Sequence, residues 1–171
     1  SWEEFSRTYH LFIIGILRQL KVSDTEMDEL LQLCLIKAWK NLSKYEKKAG
    51  SRFRSWLSVL IRNTAYSYFR GQKRHKAAVA GSEFIEGIED AEVERLAEHE
   101  WKLFLTHKAF EIIQEEFSEK VINIFLASSK GMTDDAIAEK YEIAQSSVRV
   151  YRMRLQKAMR KEVARLAIEL D

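Results

Sequence analysis

Apolar residues along this chain recur at intervals of three and four, the spacing that gathers them on one face of an α-helix. Phe5, Tyr9, Phe12, Ile13 and Ile16 set this rhythm and predict a first helix from Trp2 to Leu20. Ser23 or Asp24 is placed to cap a second helix, which runs to about Leu42 with Met27, Leu30, Leu31, Cys34, Leu35, Ala38 and Trp39 at its apolar positions. A basic loop over 43–52 follows, with Gly50 and Ser51 near its end. The third helix is expected from Phe53 to Gly71, with Leu57, Leu60, Ile61, Thr64, Ala65 and Tyr68 turned to the core. Three amphipathic helices can bury one another, so residues 1–76 read as a first domain.

Residues 77–98 read as a linker that opens with Ala, Gly and Ser and turns acidic, with helix possible over Asp90 to Glu98. Residues 99–171 then form a second helical unit, starting with a helix from Trp101 to Phe117. Another runs from Glu119 to Ser128 and closes at Gly131, the residue type favoured just past a helix end. Thr133 can cap a short helix through Tyr141, with Asp134 and Asp135 in its positive first turn. A long basic helix starts near Gln145 and extends to about Leu170. The expected fold is all-α, two small helical domains joined by an acidic linker.

Composition supports this reading. Hydrophobic residues make up 46% and charged residues 32% of 171, as in soluble globular proteins rather than disordered ones. The absence of Pro and the presence of only 6 Gly favour long helices over a turn-rich β fold. The single cysteine, Cys34, excludes an internal disulfide, fits a reducing cytoplasm and reads as a small core residue. Leu11 to Leu17 falls far short of the roughly 18–20 apolar residues that cross a bilayer, so no direct membrane association is expected. No signal peptide is visible, and a chain opening at Ser1 without Met leaves room for native residues ahead of it.

The net charge of +2 conceals segregation. Lys47 to Ser82 holds nine Lys or Arg and no acid; Glu83 to Glu100 holds eight acids against Arg95 alone; Ile143 to Lys161 holds six bases and no acid. Two basic blocks around an acidic one predict two polyanion-binding surfaces and a connector of opposite sign, since a merely solvated face usually mixes both signs.

Each basic block carries a candidate site. In the second unit, Ile137, Ala138, Ile143, Val148 and Leu155 fit a helix-turn-helix, whose second helix enters a major groove. Its start holds Gln145, Ser146, Ser147 and Arg149; hydroxyls and N–H groups there suit phosphate oxygens. Arg149, Met153 and Arg154 share an outer face on which arginine can read guanine edges. In the first domain, the third helix carries Trp56, Val59, Asn63, Tyr66 and Arg70 away from the core, with Arg62 beside them. Aromatic rings stack unpaired bases, Asn bonds a base edge and Arg holds the backbone. Trp56 by itself also fits a core position.

No catalytic, cofactor or metal site is expected. His10, His75, His99 and His107 lack ligand spacing, and neither a Gly-rich phosphate loop nor a nucleophile elbow occurs.

These residues resemble the extracytoplasmic-function (group 4) sigma factors of the sigma-70 family, which keep only the region 2 and region 4 domains. Family stretches of the form DLVQETFLRAW are matched by Glu29-Leu-Leu-Gln-Leu-Cys-Leu-Ile-Lys-Ala-Trp39. FRAWLYRIARN is matched by Phe53-Arg-Ser-Trp-Leu-Ser-Val-Leu-Ile-Arg-Asn63, with Tyr68-Phe-Arg-Gly-Gln-Lys-Arg74 completing the motif. The region 4 pattern is matched by Gly131-Met-Thr-Asp-Asp-Ala-Ile-Ala-Glu139 and by Ile143-Ala-Gln-Ser-Ser-Val-Arg149.

The resemblance implies an initiation factor, not an enzyme. It would bind core RNA polymerase and direct it to promoters by recognising −35 and −10 elements and capturing melted −10 bases. Glu29 and Gln32 would dock on the clamp helices of the largest subunit, and the second domain on the flap of the second-largest. The loop 43–52 would act on −10 DNA with Arg52, Arg54, Trp56, Arg62, Asn63, Tyr66, Arg70, Lys73 and Arg74. Ser146, Ser147, Arg149, Met153, Arg154 and Lys157 would read the −35 element, and the acidic linker would thread toward the RNA exit path. Many relatives are held by an anti-sigma protein; no residue here identifies one or any other recruiting partner.

Four departures from the family pattern stand out. Leu33 replaces the usual Glu and Leu35 the usual Phe, which predicts an altered polymerase contact. Glu142 replaces a turn Gly, which predicts a changed turn or a strained backbone. Arg152 takes a normally buried apolar position beside Tyr151, which predicts a slightly rotated helix with Tyr151 facing inward. Two other functions fit parts of the pattern: a stand-alone helix-turn-helix regulator, expected to bind duplex tightly by itself, and a helical protein adaptor, expected to show no salt-dependent nucleic-acid binding.

Overall fold

The computed structural model describes residues 1–46, 50–75 and 84–170, the side chains of 73–75 excepted. Among the described residues the protein is all-helical, with α1 (Trp2–Gln19), α2 (Asp24–Leu42), α3 (Phe53–His75), α4 (Asp90–Ile113), α5 (Glu119–Ser129), α6 (Asp134–Tyr141) and α7 (Gln145–Leu170). One 3₁₀ turn, Gln114–Glu116, follows α4. The chain divides into two compact units, Ser1–Phe104 and Leu105–Leu170.

In the first unit, α1 starts with a capping box: the Ser1 hydroxyl accepts from the Glu4 amide at 3.2 Å while the Glu4 side chain reaches back to Ser1. Its buried face is Phe5, Phe12, Ile13, Ile16 and Leu17, as the periodicity predicts. Lys21 ends the helix at φ 63°, and the Val22 amide closes back on the Leu17 carbonyl at 3.1 Å. Ser23 precedes α2 without a side-chain capping bond; its hydroxyl pairs instead with Thr25 and Glu26. Met27, Leu30, Cys34, Leu35 and Ala38 form the buried stripe of α2, and burial pushes the Cys34 thiol up to about 12, which leaves it inert. The α3 core face is Phe53, Leu57, Ile61, Ala65 and Phe69. Two buried hydroxyls on it are satisfied locally, Ser58 donating to the Ser55 carbonyl at 2.8 Å and Thr64 to that of Leu60 at 2.7 Å. Leu60 and Tyr68, expected inside, are only half-buried.

Part of the segment 77–98, expected as a linker, is described. Residues 76–83 lie outside the described residues; from Phe84 onward the chain packs on the first unit. Phe84 stacks on Phe69 at 4.4 Å between ring centres, and the Ile85 amide donates to the Leu20 carbonyl at 3.0 Å. Ile88, Val93, Ala97, Trp101 and Phe104 are buried in turn. Trp101 meets the Phe12 ring edge-on at 5.3 Å, and Phe104 stacks on Tyr9 at 6.0 Å. The apolar residues of α4 up to Phe104 therefore lie in the first unit, and the rest of the helix lies in the second.

In the second unit, Ile124, Ile137, Ala138 and Val148 make a core flanked by Ala127, Tyr141, Ile143 and Tyr151. Ser118 caps α5 through the Val121 amide at 3.3 Å, and Thr133 caps α6 through Ala136 at 3.2 Å. Gly131 (φ 92°) supplies the left-handed residue between α5 and α6. Glu142 holds the same conformation between α6 and α7, at φ 55° and ψ 47°. This is the strained turn that its replacement of Gly predicts. No helix among the described residues is long and apolar enough to cross a membrane.

Candidate nucleic-acid interface

Three of the first-unit candidates, Arg52, Trp56 and Asn63, line one groove. Beside α3 lies a cavity of about 830 Å³ lined by Tyr45, Arg52, Ser55, Trp56, Val59, Asn63, Ser67 and, from α4, Glu94. Helical spacing places Trp56, Val59, Asn63 and Ser67 on one strip of α3. Trp56 is half-buried and forms an aromatic wall with Tyr45 at 5.2 Å and Phe53 at 5.4 Å, so it serves both core and groove. The Tyr45 hydroxyl is buried and has no hydrogen-bond partner among the described residues. Asn63, Tyr66 and Arg70 are exposed. Lys47 and Lys48 lie outside the described residues, as do the side chains of Lys73 and Arg74.

Arg52 of this groove, and Arg54 and Arg62 near it, are already engaged. Arg52 donates to the Glu98 carboxylate at 2.8 Å and Arg54 to the same oxygen at 2.7 Å and 3.0 Å. Arg54, with its side chain 12% exposed, also sits over the Trp101 ring at 5.8 Å and so takes part in the packing. Arg62 pairs with Asp90, donates to the Ile88 carbonyl at 3.2 Å and donates to the Asn63 side-chain oxygen at 3.1 Å. Ser55 donates to Glu94 at 3.2 Å. Hydrogen bonds from Arg54, ahead of all other causes, hold the Glu98 carboxyl below the ordinary glutamate range. The acids of α4 are the neighbours of these residues, and the apolar and charge patterns do not single them out. Their signal is the spacing of Asp90, Glu94 and Glu98, four apart and thus on one helix face.

On α2, Glu29 and Gln32 are exposed, and Glu29 accepts from the Tyr68 hydroxyl at 2.9 Å. Burial, then this carboxylate, pushes Tyr68 up to about 12, so it stays a donor. Ile36 and Trp39 leave about two-fifths of their surface exposed on the same helix. Leu35 is buried and Leu33 half-buried.

In the second unit, Ser146, Arg149, Met153, Arg154 and Lys157 are exposed along α7, and Ser147 is half-buried. Met153, Arg154 and Lys157 line one shallow depression with Gln156 and Arg160. Val148 and Leu155 are buried, and Tyr151 packs against the core, facing inward. Arg152 is accommodated by Asp134, which accepts from both ends of its guanidinium; Arg149 stands 3.6 Å from the same carboxylate. These bonds, chiefly from Arg152, hold the Asp134 carboxyl below the ordinary aspartate range. Asp134 thus ties the first turn of α6 to the second turn of α7.

Residues 5–75 match the family model for Sigma-70 region 2, a span that takes in α1, α2, α3 and the groove. A search of curated proteins finds no match to the chain.

Proposed function

We propose that this chain is a transcription initiation factor of the sigma-70 type, in the extracytoplasmic-function group. It binds bacterial core RNA polymerase and directs it to promoters, and it has no catalytic step of its own. One observation carries the reading: the stretch similar to sigma-70 region 2 folds around a groove that joins an aromatic wall (Tyr45, Trp56) to a base-edge reader (Asn63) and a cation (Arg52), with Arg62 bonded to Asn63 beside it. Such a groove suits an unstacked base, the ring stacking on the aromatics while arginine holds the phosphate. Binding energy spent on flipped bases offsets the cost of melting the −10 element.

In this reading the first unit works as region 2 and the second as region 4. The exposed α2 face with Glu29, Gln32, Ile36 and Trp39 docks on the polymerase clamp helices. The exposed row Arg149, Met153, Arg154 and Lys157, with Ser146 and Ser147 at the helix start, reads −35 DNA as the second helix of a helix-turn-helix. The flap of the second-largest subunit receives the second unit.

Gel filtration of the chain with bacterial core RNA polymerase tests this. Stoichiometric co-elution is expected, and Glu29→Ala with Gln32→Ala should abolish it while the free chain stays monodisperse and helical. No co-elution with the polymerase of the matching organism, together with tight sequence-specific duplex binding by the chain alone, would overturn the sigma assignment in favour of a stand-alone regulator.

A further inference from the structure

Asp90, Glu94 and Glu98 lie four residues apart and form a stripe along α4. The stripe faces α3 in reverse order: Glu98 meets Arg52 and Arg54, Glu94 meets Ser55, and Asp90 meets Arg62. A row of carboxylates here occupies the donors that a nucleic-acid backbone would need in the groove. Glu94 itself lines the groove beside Asn63 and Trp56.

We propose that this stripe is a built-in competitor, which holds Arg52 in the groove and Arg62 beside it until a single-stranded DNA phosphate takes them over. The inference rests on the nucleic-acid reading of the groove given above. The helix itself does not have to leave. Val93, Ala97 and Trp101, on its other side, are buried in the first unit and anchor it. Only arginine side chains exchange partners, and the exchange is mild at both ends. Asp90 is 78% exposed and returns to water when Arg62 swings away. Glu98 keeps Arg54 when Arg52 leaves, because Arg54 is fixed over Trp101. Arg52 and Arg62 are therefore the exchangeable pair, and Arg54 is a positioning residue that holds Glu98 in place. The Arg52–Glu98 pair is exposed on both sides and therefore weak, and Arg62, only 16% exposed and also bonded to the Ile88 carbonyl, gives up Asp90 less readily. The stripe thus withholds the groove from weakly held strands and yields to one that also stacks on Trp56 and bonds Asn63.

The test is fluorescence anisotropy of a labelled single-stranded 20-mer DNA titrated with the full chain over a range of salt. Asp90→Asn with Glu94→Gln and Glu98→Gln is expected to bind about three- to tenfold tighter than the parent, with a steeper salt dependence. A control of equal charge change, Glu3→Gln with Asp28→Asn and Glu92→Gln, is expected to gain much less. Because the triple change could loosen α4, Asp90→Asn alone is also measured, with and without Arg62→Ala. Its gain should vanish in the Arg62→Ala background, since it acts through that arginine. Unchanged or weaker binding by both the triple and the single variant overturns the competitor, as does an equal gain in the control. Absence of binding by every variant at low salt overturns it too, because unmasked arginines should then hold the strand. If Arg62→Ala and Asn63→Ala bind like the parent while the parent binds well, the groove is not the nucleic-acid site, and the functional reading itself fails there.

Discussion

Replacing Trp101 by Ala should destabilise the first unit, although its sequence neighbours lead toward the second. Trp101 is 3% exposed and packs against Phe12 at 5.3 Å and Phe104 at 5.0 Å, with Arg54 over its ring. A buried Trp removes roughly 150–250 Å² from water, worth about 4–6 kcal/mol at about 25 cal/mol per Å². A compact unfolded chain lowers this to about 3–5 kcal/mol, which agrees with the usual cost of truncating a core aromatic. With a urea slope of about 2 kcal/mol per molar for a domain of this size, the midpoint should fall by about 2 M. The readout is selective, because Trp2, Trp39, Trp56 and Trp101 all lie in Ser1–Phe104. Tryptophan fluorescence of the variant, carried by the three that remain, follows the first unit alone. A shift below about 0.5 M, or loss of amide protection confined to 105–170, would refute the packing argument and return Trp101 to the second unit.

Two further outcomes follow from the second unit. Glu142→Gly should stabilise it by about 1 kcal/mol, read as a higher urea midpoint for 105–170 by hydrogen exchange, because a left-handed φ of 55° is strained for Glu and free for Gly. The Asp134 carboxyl, held low by Arg152, should titrate below the ordinary aspartate range when followed by carboxyl NMR. A depressed carboxyl favours the folded state above its unfolded value. This contribution is therefore whole at neutral pH and fades as pH falls below about 4 through the folded value. Asp134→Asn should remove that acid-side dependence and leave neutral-pH helicity nearly intact.

Much of this architecture is legible in the residues alone. The starts and ends of α1, α2, α5, α6 and α7 follow from caps and from apolar periods that the structure repeats within a residue or two. Trp56 and Asn63, which the residues place on the outward strip of α3, line the groove, while Tyr66 is exposed outside its lining. What the residues do not disclose is who partners the arginines. The partners of Arg54, Glu98 and Trp101, stand more than forty positions away in the chain. Arg152 reads as a misfit until Asp134 is seen to claim it. Long-range pairing sets the role of an arginine, and a linear pattern carries no record of it.

The acidic connector shows the same limit from the other side. Averaged over Glu83 to Glu100 the segment is strongly negative, which reads as a solvated tether. Resolved by helical phase it is two surfaces. Val93, Ala97, Trp101 and Phe104 form an apolar face at intervals of four, four and three, and Asp90, Glu94 and Glu98 form an acidic one. The apolar face needs a hydrophobic partner and finds Phe12 and Tyr9; the acidic face, carried along by the same helix, needs cations and finds Arg52, Arg54 and Arg62. Neither demand alone fixes the register. Together they do, because a helix that slid by one turn would keep its apolar contact in kind but set Asp90 where Glu94 now faces Ser55. The charge that makes the segment look like a tether is thus part of what fixes its position, and that position puts three carboxylates against the arginines in and beside the groove.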